Sequence, residues 1–270
     1  MRKVLCLTGV LLFTITAYSQ DNKSDNLNDL LPEMVFVEGG TFGMGCSDEQ
    51  ENDCEDNEKP AHQVTVNSFY IGKFEVTQIQ WETIMGTTVH QQRDKFNTNW
   101  PVRGVGDDYP MYYVSWYEIM DFISRLNAAT GKQYRLPTEA EWEFAARGGN
   151  NNNGYKYSGS NTINDVAFYD MNSGKATHKV GSKSPNELGI YDMSGNVWEW
   201  CSNWYGKSYY SNSPEIDPQG PSIGMHRIIR GGGWDNNSSS CRSVFRSSNS
   251  PDSRGSGIGF RLAISHVPAP

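Results

Sequence analysis

Between Asn186 and Cys201 the chain reads Asn-Glu-Leu-Gly-Ile-Tyr-Asp-Met-Ser-Gly-Asn-Val-Trp-Glu-Trp-Cys. Few folds accommodate such a run. Val197, Trp198, Glu199 and Trp200 alternate as a short strand whose side chains face opposite ways, with one carboxylate flanked by two indoles. Just upstream, Asp192, Gly195 and Asn196 supply a carboxylate, a pliable backbone and an amide on a turn. Clustered oxygen donors on a turn able to aim its carbonyls are what a hard cation such as Ca²⁺ needs. The competing reading is a polar turn entering a buried aromatic strand, with Asp and Asn present for turn chemistry alone.

The 270 residues suffice for one large domain or two ordinary ones. Arg2 and Lys3, the apolar run from Val4 to Ala17 and the small residues at Ala17 and Ser19 form an export-signal pattern over 1–20. The alternative is a retained membrane anchor, for which the apolar run is short. Cys6 precedes the apolar core and is badly placed for lipidation. Losing the two basic residues moves the formal charge from −8 to −10. That acidity disfavours nucleic acid and anionic membranes as partners. The expected product is exported, to the periplasm, cell envelope or medium, without a membrane span. Four cysteines then remain, Cys46, Cys54, Cys201 and Cys241, an even count that an oxidising compartment reads as disulfides. Cys46 with Cys54 closes the acidic loop between them, which leaves Cys201 with Cys241 as the second pair.

Aromatic residues, Gly and Asn are plentiful and long apolar helices scarce, so a loop-rich fold held by aromatic packing is expected. Residues 21–32 read as a polar leader. From Met34 the chain alternates and turns through Gly39-Gly40, predicting an early hairpin, and Gln63 to Thr77 predicts further strands. Helical spacing follows Thr77, a candidate N-cap, with Ile79, Trp81, Ile84 and Met85 as core positions. Gln91 to Pro110 reads as loop. Ser115 to Gly131 is the clearest helix, with Ser115 and Glu118 as a capping box and Gly131 at its end. Thr138 and Glu141 repeat that box, so the acids of Glu139–Glu143 need no catalytic explanation. Gly149 to Gly181 is an Asn/Gly/Ser-rich excursion in which Asp165 and Asp170 either shape turns or help hold a cation. Beyond Arg227, short strands near Ile228 and Phe260 enclose a polar region carrying Arg242, Arg246 and Arg254. Guanidinium groups there suit the holding of loop carbonyls and carboxylates.

Four segments in order, Arg135–Gly149, Leu188–Cys201, Arg230-Gly-Gly-Gly-Trp234 and Gly259-Phe-Arg-Leu262, closely resemble the formylglycine-generating enzyme (sulfatase-modifying factor) family. The resemblance implies one α+β, loop-rich domain over about residues 33–267, related to the C-type lectin fold. It implies calcium held by the side chains of Asp192 and Glu199 and the carbonyls of Gly195 and Val197. Asp165 and the Val166 carbonyl are what remains of a second family site. Active members resemble an oxidase in which two cysteines five residues apart bind Cu(I) and use O₂ to turn a substrate Cys-x-Pro-x-Arg cysteine into formylglycine. Here the second cysteine position is Cys241 but the first is Asn236, and an amide does not replace a soft thiolate. Cys201 is then a surrogate ligand or a disulfide partner of Cys241.

Three expectations compete. The favoured one is an exported scaffold without copper chemistry that binds a protein, peptide or glycan, as an assembly module or as a lectin-like protein with a diversified C-terminal segment. Its ligand candidates are Trp198, Trp234, Asp235, Asn236, Asn237, Arg242 and Arg246. The second is a formylglycine-generating oxidase with altered copper ligation at Cys241. The third is an oxygenase with a histidine-held metal, but His62, His90, His178, His226 and His266 show no paired spacing.

Overall fold

A computed structural model describes residues 30–50 and 53–267. The export-signal expectation, 1–20, and most of the polar leader lie outside the described residues. The compact unit runs from Pro32, and its regular elements are short.

Among the described residues three sheets form. The first has the order β1-β4-β10-β5, from Met34–Val37, Phe69–Gly72, Ala263–Ser265 and Tyr134–Arg135. The second pairs β2 (Gly40–Met44) with β3 (His62–Val66). The third is β8-β7-β6-β9, from Arg246–Asn249, Arg227–Arg230, Trp198–Trp204 and Ile258–Gly259. The early hairpin is therefore corrected. β1 and β2 turn at Gly39-Gly40 but enter different sheets, β1 pairing antiparallel with β4. Gly39 permits the close crossing, because a Cβ there would stand 2.5 Å from the Val66 carbonyl oxygen.

The helices start where the caps predict. Helix α1 (Gln78–Met85) is capped by Thr77, which accepts from the Gln80 amide, and Trp81 alone of its four candidate core residues is fully buried. A second helix, α2 (Val89–Asp94), occupies the start of the segment read as loop, with Thr88 and Gln91 as its capping box. Six residues of largely polar sequence gave no apolar period to reveal it. Helix α3 (Trp116–Thr130) begins at Ser115 and ends at left-handed Gly131. Its Phe122 stacks on Trp81, and both meet Phe260 edge-on.

Helix α4 (Glu139–Ala146), capped by Thr138, is buried along its whole length. It packs between the β2–β3 pair and the third sheet around Trp142, Phe144, Phe42, Val64 and Ile228. One buried helix carrying three glutamates requires compensating cations. Arg246 and Arg230 from the C-terminal segment meet Glu139 and Glu143, Arg147 also meets Glu143, and Arg135 meets Glu141, which explains why guanidinium groups sit in a buried region. A fifth helix, α5 (Ile163–Val166), is a single turn within the Asn/Gly/Ser-rich excursion.

Candidate functional site

Strand β6 enters from a turn in which Asp192, Gly195 and Asn196 all adopt left-handed φ, at 59°, 82° and 59°. A Cβ at Gly195 would lie 2.3 Å from the Phe168 carbonyl oxygen, so no larger residue fits this crossing. The Asp192 carboxylate accepts from the Gly181 amide at 2.7 Å. Glu199 is fully buried and forked to Arg261 (2.5 and 2.6 Å), and it also accepts from the Trp142 indole at 2.7 Å. Sequence reading missed a third carboxylate, Glu75, which receives the Asn196 side-chain amide at 2.6 Å and the Val197 N–H at 3.0 Å. Glu75 follows β4 at the end of a strand-like run, with nothing in its spacing to join it to residues more than a hundred positions away.

Glu75, Asp192 and Glu199 thus lie buried near one another. Burial, with Asp192 and Glu199 close by, pushes the Glu75 carboxyl well above its ordinary value. Burial likewise lifts Asp192 to about 6. Among the described residues no three acidic, histidine or cysteine side chains converge tightly enough to hold a metal by themselves. The expected calcium set needs only two carboxylates, completed by the Gly195 and Val197 carbonyls. Neither carbonyl serves as an acceptor in the loop and side-chain hydrogen bonds of the described residues. A hard, oxygen-only donor set with excess buried negative charge fits Ca²⁺.

The turn after β7 faces the start of β6. Trp198 donates its indole N–H to Asn236 Oδ1 at 2.8 Å, and Trp234 donates to the Ser256 carbonyl at 2.9 Å. The Asn236 carbonyl accepts from the Asp170 amide, so the excursion closes over this turn. Asp235 and Asn237 are exposed, Asn236 is half-buried, and Arg103 lies over the Trp234 ring at 6.0 Å. Asp235, Asn236 and Asn237 therefore form the accessible part of this turn, whereas Trp198 and Trp234, only 9% and 8% exposed, are buried beneath it, which corrects their expectation as direct ligand contacts. Arg103 is a member that the sequence did not suggest, since it comes from the loop before α3.

Arg242 and Arg246 do not belong to that surface. Both are buried, Arg242 forked onto Glu58 (2.7 and 3.0 Å) and Arg246 onto Glu139 (2.7 Å twice). Their assignment as ligand candidates is corrected: each guanidinium is spent on a buried carboxylate. Arg254 likewise pairs with Glu118 at 2.9 Å. Asp165 is exposed and accepts from the Ser160 hydroxyl.

Cys46 and Cys54 form the expected disulfide. The second expected pair does not form, because Cys201 and Cys241 are separate buried thiols. Cys201 packs with Ala140, Trp142 and Ile228 in the main core, whereas Cys241 packs with Tyr157, Val166 and Tyr169. Each thiol is thus enclosed by its own apolar cluster. Burial pushes the Cys241 thiol up to about 12 and Cys201 well above its usual value. Left-handed Gly232 lies against Cys241, where a Cβ would come within 2.8 Å of the sulfur. The position where the family resemblance puts the first copper cysteine carries the Asn236 amide, already engaged by Trp198. One buried thiol and one amide do not fit Cu(I), which seeks two soft thiolates.

The fold and this turn define a class. The sequence profile described as sulfatase-modifying factor enzyme 1-like domain matches residues 18–266, and the chain belongs to that family. It is 31% identical to a protein of Paenibacillus barcinonensis named chaperone protein LppX, over 87% of this chain and 89% of that one. It is also 31% identical to the formylglycine-generating enzyme of Mus musculus, over 88% of this chain and 76% of the enzyme. Among solved structures, Treponema denticola variable protein 1 superposes with a TM-score of 0.73 at 31% identity, covering 86% of this chain and 95% of that one. The expected loop-rich α+β domain of the formylglycine-generating class is thus established.

Proposed function

We propose that this chain is an exported binding module that retains the formylglycine-generating scaffold without its copper oxidase chemistry. The observation that carries this reading is the Asn236–Trp198 hydrogen bond at the position of the first copper cysteine. It leaves the buried Cys241 as a lone thiol, with burial opposing the thiolate that copper requires. The binding surface is the turn of Asp235, Asn236 and Asn237 with Arg103 beside it, held rigid from beneath by the buried Trp198 and Trp234. Its exposed carboxylate and amide and the half-buried guanidinium supply hydrogen bonds suited to a protein, peptide or glycan. Relatives named as a chaperone and as a variable protein stand beside equally similar formylglycine-generating enzymes, so a scaffold of this kind is compatible with a non-oxidase role. Calcium at Asp192, Glu199 and the Gly195 and Val197 carbonyls would brace the turn that presents Trp198. The signal-like start and the Cys46–Cys54 disulfide support export.

The experiment is incubation of the purified chain with Cu(I), O₂ and a Cys-x-Pro-x-Arg peptide, read as aldehyde by mass spectrometry. No aldehyde above the copper-only control is expected. Aldehyde formation abolished by Cys241→Ser would overturn the proposal. A second reading, an oxidase with altered copper ligation, has one observation in its favour: Cys201 and Cys241 are both free thiols. The same assay with Cys201→Ser tests whether Cys201 substitutes for the missing ligand.

A further inference from the structure

Four residues along β6 from Trp198, the third sheet opens on a different cleft of about 560 Å³, within the range of small-ligand sites. Its walls include Trp116 and Met120 from α3, Ser202 from β6, Arg227 from β7, and Asn67 and Asp217 from two loops. Arg227 is clamped face-on between Trp116 and Trp204, 3.9 and 3.6 Å from their ring centroids. It donates through Nη1 to the Ser202 carbonyl at 2.5 Å. Its Nε is buried without an acceptor, and among the described residues no carboxylate pairs with it. This isolates it from the neighbouring Arg135, which is neutralised by a forked pair with Glu141 at 2.6 and 2.7 Å. Asp217 is the mirror case. It accepts the Asn67 amide at 2.9 Å and the Asn67 side chain, and no cation of the described residues meets it.

We propose that this cleft binds an acidic sugar of the uronic acid class, its carboxylate at Arg227 and its hydroxyls at Asp217, Asn67 and Ser202. A carboxylate suits the rigid guanidinium at Nη2, which has no protein acceptor among the described residues, while Nη1 is held by Ser202 and Nε is buried. Asp217 accepts hydrogen bonds only, so a ligand beside it must bring donors, and hydroxyls provide these. Asp217, which no cation of the described residues meets, would repel the dianionic charge of a phosphate monoester more than a single carboxylate, which selects the singly charged acid. Trp116 and Met120 offer the apolar wall on which the C–H face of a pyranose rests. The cleft is separate from the Trp198–Asn236 surface, so either proposal can fail without the other.

The test is isothermal titration of the full mature chain with sodium D-glucuronate, with D-glucose, glucose 6-phosphate and N-acetyl-dialanine as comparison arms. Saturable glucuronate binding is expected, at least tenfold tighter than for glucose or the phosphate. Arg227→Gln should weaken it tenfold or more. Ser265→Trp, which fills the cleft from exposed β10 and gives up the Arg135–Ser265 hydrogen bond, should abolish it, with near-ultraviolet dichroism reporting that each variant is folded. Absence of saturable glucuronate binding overturns the proposal. So do equal binding of glucose, preference for the phosphate or the acetylated dipeptide, and unchanged binding in a folded Arg227→Gln chain. If that variant does not fold, unchanged binding by Ser265→Trp overturns it.

Discussion

A guanidinium in a loop-rich segment has two destinations, a ligand or a buried carboxylate, and its sequence neighbours do not distinguish them. Arg246 sits one position from exposed-looking serines, yet it is buried on Glu139, 107 residues away. Removing one partner of such a pair strands the other charge in a low-dielectric site, at a cost of about 3–5 kcal/mol. Arg246→Ala is therefore expected to lower unfolding stability by roughly that amount in urea titrations. Asp235→Ala, at an exposed position, should stay within about 0.5 kcal/mol of the parent, and Asn237→Ala, which removes the cap that accepts from the Ser240 amide, should cost about 1 kcal/mol. Equal losses from all three would mean that the polar turn, and not the buried pair, holds the segment. The cysteines make a second prediction at this scale. In a non-reducing peptide map of protein unfolded with a thiol-blocking reagent, Cys201 and Cys241 should each carry the blocking group, with Cys46 and Cys54 still joined. A Cys201–Cys241 linkage would contradict their separate enclosures and remove the remaining argument for copper. The native protein at pH 8 should be blocked slowly at both positions, because burial disfavours each thiolate.

Helix α4 shows what an element adds to its residues. Its capping box was legible at Thr138 and Glu141, since a local side chain closes a local amide. The long-range partners were not legible: Glu139 to Arg246, Glu143 to Arg230, and Trp142 to Glu199. The same division runs through the chain. The helices after Thr77, Ser115 and Thr138, the β6 strand and the turn that leads into it were readable from short-range chemistry. The β1–β2 hairpin was misread because sheet partners are chosen by tertiary packing, and α2 was missed because six residues hold too few apolar positions. At the turn, Trp198, Trp234 and Asn236 were found through the motif, whereas Arg103 beside it and Glu75 in the buried carboxylate cluster arrived from distant segments. The buried charges of α4 also give the molecule an acid limb. Burial alone would raise the Glu139 carboxyl, but Arg246 and Arg230 outweigh it and hold the group below its ordinary value. A carboxyl depressed in the folded state contributes stability above its unfolded value, about 4.3, and loses it as pH falls toward the folded one. Chemical denaturation between pH 7 and pH 3 should therefore show falling stability below about pH 4.5. Glu139→Gln should be less stable at pH 7 yet lose less on acidification. An acid limb of unchanged steepness in that variant would assign the effect to other carboxylates.

At the scale of the whole molecule, most of the compact unit is tied to the turn that starts β6. Glu75 comes from the segment after β4, Asp192 from the turn itself, Glu199 from β6, and Arg261 from the chain just before β10. Arg261 also donates to the carbonyls of Gly72 and Tyr191, at 2.9 Å each. The first and third sheets therefore meet at a buried site holding three carboxylates and one guanidinium. An isolated buried carboxylate is costly, and a divalent cation on the oxygen side of this cluster offsets that cost. Such a cation would join two sheets and stabilise global folding rather than a loop. At a hundred times its dissociation constant, Ca²⁺ should add about 2.7 kcal/mol to unfolding stability. In a chain of this size that is a rise in Tm of several degrees, read by calorimetry against an EDTA-treated sample. Mg²⁺, which keeps its waters and demands stricter octahedral geometry, should produce a smaller shift. Asp192→Ala should remove the Ca²⁺ response while leaving the glucuronate titration at Arg227 unchanged, since that cleft lies at the far end of β6. A Ca²⁺ response that survives Asp192→Ala would move the cation elsewhere. No response in the parent chain would leave Arg261 as the sole counter-charge, and Arg261→Met should then prevent folding whether or not calcium is present.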